Sequence, residues 1–183
     1  KLKKILIIGG SHRDIPLIIN AKELGYYTIT LGKLSNYIGY RYSDKNFNID
    51  FKDIEGIKKI IKTENIYYLV PGSGEVPMSI VTKLSKNGNY DSEKVFKILH
   101  SKDLFKDLCI GLNIDVPKGL CVKNSEDINF LDFPIIVKPL NLSGGKGITV
   151  VNNKEELSSA IVHAQNLSLN KKVVVAEFIE GDL

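Results

Sequence analysis

The stretch that decides the fold is Phe133-Pro134-Ile135-Ile136-Val137-Lys138-Pro139-Leu140-Asn141-Leu142-Ser143-Gly144-Gly145-Lys146-Gly147-Ile148-Thr149-Val150-Val151. Two runs rich in β-branched residues flank a glycine loop, which reads as strand, loop, strand. A lysine near the end of a buried strand is costly unless it meets an anion. Lys138 holds that position, and Gly144, Gly145, Lys146 and Gly147 follow it closely. Such a loop can fold over phosphates, with its backbone N–H groups and Lys146 as donors. A purely structural hairpin with a partly buried lysine is the competing reading. The loop is not a Walker A motif. That motif needs Ser or Thr after the lysine and Gly at position 140, where the chain has Gly147 and Leu140.

Downstream of this stretch, Glu155 to Gln165 has helical spacing and is capped by Asn153, and Val173 to Phe178 reads as a strand. Upstream come two back-to-back helical segments, Ser92 to Leu99 and Lys102 to Leu112. A strand near Gly119 to Val122 follows, then a turn or short helix around Ser125 to Leu131. Together these make a small α+β layer. The first half has a different rhythm. Strands at Lys4–Ile8, Tyr27–Leu31 and Ile66–Val70 alternate with helices at Asp14–Leu24, Ile54–Ile61 and Val76–Leu84, and Gly25 closes the first helix. That order predicts a parallel sheet with helices on both faces. Two domains are expected, residues 1–90 and 91–183.

Two further glycine turns follow strands in the first half. In Gly9-Gly10-Ser11-His12-Arg13-Asp14, Ser11 and Asp14 stand where a dinucleotide fingerprint has its second and third glycines. The acidic residue expected after the second strand is missing, since Leu31-Gly32-Lys33 stands there, so an NAD-linked oxidoreductase domain fits poorly. The turn is either a tight strand-to-helix connection or a small-ligand loop at the C-terminal edge of a parallel sheet, with Gly10, Ser11, His12 and Arg13 facing an anionic substrate. In Gly72-Ser73-Gly74-Glu75, Glu75 either accepts a hydrogen bond from substrate or simply favours the start of its helix.

Bulk properties narrow the class. The chain has 183 residues, 43% of them hydrophobic, and a net charge of +4 with both signs interleaved, which argues against a nucleic-acid protein. No run approaches a membrane span and no secretory leader is visible. Cys109 and Cys121 lack the spacing of a zinc or redox motif and read as small core side chains. A cytoplasmic setting is expected.

The segment F-P-I-I-V-K-P-L-N-L-S-G-G-K-G-I-T-V-V resembles the nucleotide-binding segment of the ATP-grasp superfamily, which includes biotin carboxylase, carbamoyl-phosphate synthetase, the purine-pathway ligases and D-alanine–D-alanine ligase. H-S-K-D-L-F-K-D-L-C-I-G-L-N-I-D-V-P-K-G resembles the helix and turn that open the ATP-grasp domain. V-V-V-A-E-F-I-E-G-D-L resembles the strand and hinge that hold adenine. The implied fold is a Rossmann-like substrate domain followed by the first, α+β subdomain of an ATP-grasp fold. The resemblance implies that Lys102 approaches an ATP phosphate and that Lys138 contacts the α- and β-phosphates. Gly144 to Gly147, with Lys146, would close over the triphosphate. Glu177 would meet the adenine edge, which the backbone of Phe178 and Ile179 would read, and Glu180 or Asp182 would meet the ribose. It implies ATP as cosubstrate, a small-molecule carboxylate as substrate, and ligation to an amine or thiol through an acyl phosphate. Magnesium ligands are expected beyond Leu183, so no residue of the chain is assigned to metal or to catalysis. The chain alone is expected to be inactive in ligation, as the N-terminal, ATP-binding part of a ligase. A homodimer through the first domain is the expected assembly, and a non-catalytic nucleotide-binding module is the alternative.

Overall fold

The computed structural model describes residues 2–85, 90–123, 128, 131–168 and 170–181. The turn or short helix expected around Ser125 to Leu131 falls largely outside them. The chain divides into two compact units, Lys1–Phe96 and Lys97–Leu183.

The first unit is a four-stranded parallel sheet in the order β3-β2-β1-β4, built from β1 (Lys4–Ile8), β2 (Tyr27–Gly32), β3 (Lys45–Asn48) and β4 (Tyr68–Pro71). β1 is central and apolar on both faces, as a strand covered by helices from both sides must be. Its Ile5 and Ile7 pack with Ile18 and Ala21 of α1 (Ile15–Glu23). Its Leu6 and Ile8 pack with Ile57 and Ile60 of α2 (Ile54–Thr63) and with Ile80 and Val81 of α3 (Glu75–Leu84). The expected helices on both faces are therefore present. Gly25 ends α1 with φ +81°, the left-handed conformation common just past a helix.

The edge strand β3 is absent from the sequence reading. It is short and, in Lys45-Asn46-Phe47-Asn48, only Phe47 is half-buried, so it carries no periodic apolar signal. Its place is set by tertiary hydrogen bonds instead. Asp44 accepts from both the backbone N–H and the hydroxyl of buried Thr28, each at 2.8 Å.

The second unit is antiparallel, in the order β5-β8-β6-β7: β5 (Gly119–Val122), β6 (Ile135–Pro139), β7 (Thr149–Val151) and β8 (Val173–Glu177). α6 (Lys154–Leu167) covers one face, with Leu157, Ala160, Ile161 and Ala164 packed on Ile135, Val137, Val151, Val173 and Val175. Asn153 caps α6 by accepting the Glu156 N–H at 3.1 Å. α4 (Glu93–Leu99) and α5 (Lys102–Gly111) precede the sheet. The α/β reading of both halves holds, with one parallel and one antiparallel sheet.

All eight tyrosines lie between positions 26 and 90 and the chain has no tryptophan, so tyrosine fluorescence reports on the first unit alone. Leu6→Ala in β1 should lower the stability of that unit by about 3 kcal/mol, read as a lower urea midpoint by tyrosine emission. An unchanged midpoint would contradict the assignment of Leu6 to the core.

Candidate functional site

In the first unit the chain leaves β1 toward β2 on one side, then returns through α2 to place β4 on the other side of β1. The C-terminal ends of β1 and β4 are thus a topological switch point, where open parallel sheets form ligand crevices. Both N-terminal glycine turns sit there. His12 and Arg13 lie in a short 3-10 turn before α1 and are exposed. Glu75 is the first residue of α3 and half-buried.

Between the two turns stands Asp14, 3% exposed. Its Oδ2 accepts the N–H of Gly10 (2.9 Å), the N–H of Ser11 (2.8 Å) and the Ser11 hydroxyl (2.9 Å), while Oδ1 accepts the N–H of Ser73 (2.6 Å). Burial alone would raise its carboxyl, but hydrogen bonds from the Ser73 and Gly10 amides and from Ser11 outweigh it and hold the group below its ordinary value. A side chain at position 72 would leave this carboxylate no room, since a Cβ there would come within 2.7 Å of the Ile8 carbonyl and 2.9 Å of Asp14 Oδ1. Behind the first turn, Gly39 donates its N–H to the Gly10 carbonyl at 2.8 Å, and Tyr40 donates to the carbonyls of Gly32 and Phe47. Burial, then Tyr37, pushes the Tyr40 phenol up to about 12, so it remains a donor. The sequence reading treated Asp14 only as a missing glycine. The available signal was an acidic residue at the start of a helix, directly after a glycine turn.

In the second unit Ile135 and Val137 face α6, so Ile136 and Lys138 face the opposite side of the sheet. There Lys138 lies in one cross-strand row with Val174 and Cys121, all half-buried. The Lys138 ammonium makes no hydrogen bond or ion pair to a described residue. Burial, then the Asp103 carboxylate, pushes the Cys121 thiol up, consistent with an unreactive packed side chain.

The glycine loop rises directly from β6. Gly144 and Gly145 have φ of +73° and +75° with open space where a side chain would be, so the backbone there is accessible from outside. Lys146 is exposed. Gly147 (φ +72°) is wedged against Pro139 and Leu167 and anchors the loop's return. The stem concentrates acceptors, and Lys102 at the start of α5 supplies the cation they need. Its ammonium donates to the carbonyls of Pro139 (3.0 Å), Leu140 (3.3 Å) and Leu142 (2.7 Å). The Asn141 side-chain oxygen, buried in the same stem, has no donor among the described residues.

At the end of β8, Glu177 exchanges hydrogen bonds with Lys118. Its N–H donates to the Lys118 carbonyl at 2.8 Å and its carboxylate accepts the Lys118 N–H at 2.9 Å. The Phe178 N–H goes to the Pro134 carbonyl at 3.2 Å, whereas the N–H of exposed Ile179 makes no backbone hydrogen bond to a described residue. Glu180 is exposed, and Asp182 lies outside the described residues. The described residues of the second unit thus bring together Lys138, the Lys102-braced loop and the Glu177–Ile179 hinge around one sheet. Among them, no group of three or more His, Cys, Asp or Glu could hold a metal ion. Among the described residues, no helix is long and apolar enough to cross a membrane.

Residues 117–182 match the family model described as the D-ala D-ala ligase C-terminus. The chain is 32% identical, over 98% of its length, to the formate-dependent phosphoribosylglycinamide formyltransferase of Prochlorococcus marinus subsp. pastoris, and covers 48% of that protein. Among solved structures, the biotin carboxylase domain of Hydrogenobacter thermophilus 2-oxoglutarate carboxylase, in complex with MgADP, ADP and bicarbonate, aligns with a TM-score of 0.81 at 19% identity over 97% of this chain and 44% of that one. The N5-carboxyaminoimidazole ribonucleotide synthetase of Thermotoga maritima aligns with a TM-score of 0.74 at 23% identity, over 98% of this chain and 46% of that one. The two structural likenesses show a shared fold. The chain spans about half the length of the curated relatives it matches.

The pH dependence of the first unit follows from Asp14. Its folded-state value is depressed, so its stabilisation is fully present above the unfolded carboxylate value of about 4 and is lost as pH falls through the folded value. Asp14→Ala leaves its four donors without their acceptor and should cost about 3 kcal/mol at neutral pH. The urea midpoint by tyrosine emission should then fall less than in the unsubstituted chain as the pH is lowered below the unfolded carboxylate value of about 4. Equal acid slopes would show that Asp14 is not the group responsible.

Proposed function

We propose that this chain, a relative of the ATP-grasp ligases over 98% of its length, supplies the ATP-holding part of a ligase that activates a small-molecule carboxylate as an acyl phosphate. The observation that carries this reading is Lys138: a lysine on a sheet face, beside an open glycine loop, with no counter-charge among the described residues. An ammonium so placed is complementary to a phosphate chain.

In this reading Lys138 neutralises charge on the α- and β-phosphates. The backbone amides of the Gly144 to Gly147 loop and the ammonium of Lys146 close over the triphosphate. Lys102 braces the loop through its stem and adds a second positive charge near the phosphates. The hinge after β8 receives adenine, with the Ile179 N–H and the Phe178 carbonyl as the backbone donor and acceptor and Glu177 holding the hinge to Lys118. Glu180, and Asp182 beyond it, would meet the ribose. The carboxylate substrate sits at the β1–β4 switch point, where Arg13 and His12 provide positive or donor groups and Glu75 an acceptor. A substrate carboxylate oxygen attacks the γ-phosphorus and ADP leaves. An amine or thiol then attacks the acyl carbon and inorganic phosphate leaves. Catalysis of this kind depends on positioning and charge neutralisation more than on covalent participation by the protein. Magnesium would supply part of that neutralisation.

Lys138→Ala removes one charge-assisted contact, worth about 1.5–3 kcal/mol, so ATP affinity should fall by roughly 10- to 100-fold, measured by calorimetric titration of this chain. Unchanged affinity would rule out the phosphate role of Lys138. For the chemistry, a protein carrying this chain should form a hydroxamate when hydroxylamine traps its acyl phosphate, dependent on ATP and on the cognate carboxylate. Phosphate release without a trappable acyl group would refute the acyl-phosphate route.

A further inference from the structure

A strand, a glycine turn and a helix start form a phosphate-binding arrangement when the backbone N–H groups of the turn converge on one unoccupied point. In this chain they converge on a carboxylate. Asp14 Oδ2 receives the N–H groups of Gly10 and Ser11 and the Ser11 hydroxyl, at 2.8–2.9 Å, and Oδ1 receives the Ser73 N–H from the neighbouring loop at 2.6 Å. Asp14 approaches both turns closely: a Cβ on Gly9 would stand 2.8 Å from Oδ2 and one on Gly72 2.9 Å from Oδ1. The donors a bound phosphate would use are therefore committed to a side chain that is itself almost fully buried.

We infer that Asp14 is an internal anion that occupies the anion site of the switch-point loops and specifies them against phosphoryl groups. The substrate of this unit is then held by the exposed side chains on the rim, His12 and Arg13, with Glu75 on the second loop, and not by a phosphate seated on the loop amides. Two effects act in the same direction. A phosphate would have to displace an acceptor that already holds four donors, and it would bring about −1.5 to −2 charge beside an ionised carboxylate where screening is weak. A lone carboxylate or a comparably small anion escapes both penalties, because the Arg13 guanidinium can pair with it in bidentate fashion from the exposed side. The inference deepens the assignment of this crevice to the carboxylate substrate and rests on it. It narrows the substrate class to carboxylates whose phosphoryl group, where they carry one, is gripped elsewhere.

The test is a titration of the isotope-labelled chain with inorganic phosphate and pyrophosphate at constant ionic strength and neutral pH, following the amide resonances of Gly10, Ser11 and Ser73. In the unsubstituted chain these resonances should show no saturable response. Asp14→Gly restores the third glycine of the fingerprint and frees the amides, so all three should gain a saturable response, with phosphate affinity at least roughly tenfold above that of the unsubstituted chain. Asp14→Asn keeps the shape and removes the charge, and should show a smaller gain if Asp14→Gly fails to fold. A saturable response of these amides in the unsubstituted chain overturns the inference, as does a folded variant that gains none. Should neither variant fold, the unsubstituted chain decides alone. ATP-dependent shifts at Gly144 and Gly145 in the same chain test the nucleotide reading separately. Their absence, with the Asp14 results as expected, sinks only that reading.

Discussion

An ionised carboxylate shut away from water is stable only if its lone pairs are met by donors, and the organisation of the first unit follows from how Asp14 satisfies that demand. Its donors come from two loops separated by 59 positions in the chain. They meet only because β1 and β4 are neighbours in the sheet with their C-terminal ends together. The carboxylate therefore does what no local turn could do, tying the loop after β1 to the loop after β4. It also imposes small residues around itself. A side chain at position 72 would meet the Ile8 carbonyl and Asp14 together, so the glycine there answers to close approach as much as to turn geometry.

The second unit solves a different problem. A hairpin stem that gathers the carbonyls of Pro139, Leu140 and Leu142 needs a donor, and Lys102 provides it from the start of α5, outside the sheet. With the stem fixed by Lys102 and by the wedge of Gly147 between Pro139 and Leu167, the loop tip at Gly144 and Gly145 is left with unusual dihedrals and no packing of its own. Rigid base and open tip are what a loop needs if it is to close on a ligand and yet keep its register.

Most of the architecture was legible because it rests on local patterns. The unbroken apolar run of β1 announced a strand covered on both faces, and the stripe of Ile54, Ile57, Ile60 and Ile61 announced α2. The strand–glycine loop–strand order around Lys138 was likewise readable, and the structure places that lysine on the sheet face turned away from α6. What escaped depended on contacts between distant positions. β3 has no pattern of its own and is held in place by Asp44 bonding to Thr28. Asp14 looked like a defect in a glycine fingerprint because its partner Ser73 belongs to another loop. The bracing of the loop stem by Lys102, and the tie between Glu177 and Lys118, are equally invisible along the chain.

The two units treat the same element of chemistry in opposite ways. Each carries a glycine turn after a strand, and in each the question is where the turn's N–H groups are directed. In the first unit they point inward to a carboxylate the chain itself provides. In the second, no carboxylate of a described residue bonds to the tip, and the stretch from Phe133 to Val151 holds two basic residues, Lys138 and Lys146, and no Asp or Glu.

 Those two lysines, Lys138 and Lys146, carry all the side-chain charge of the segment, which is therefore cationic throughout. A turn whose donors are already matched has nothing left to offer a phosphate, whereas a turn with open donors and uncompensated lysines is incomplete until an anion arrives. That asymmetry is the physical reason for the proposal that places the polyanionic nucleotide on the second unit. The same proposal leaves the first unit to recognise its ligand through the side chains at its rim, because two glycine turns that follow strands in the same way direct their donors differently.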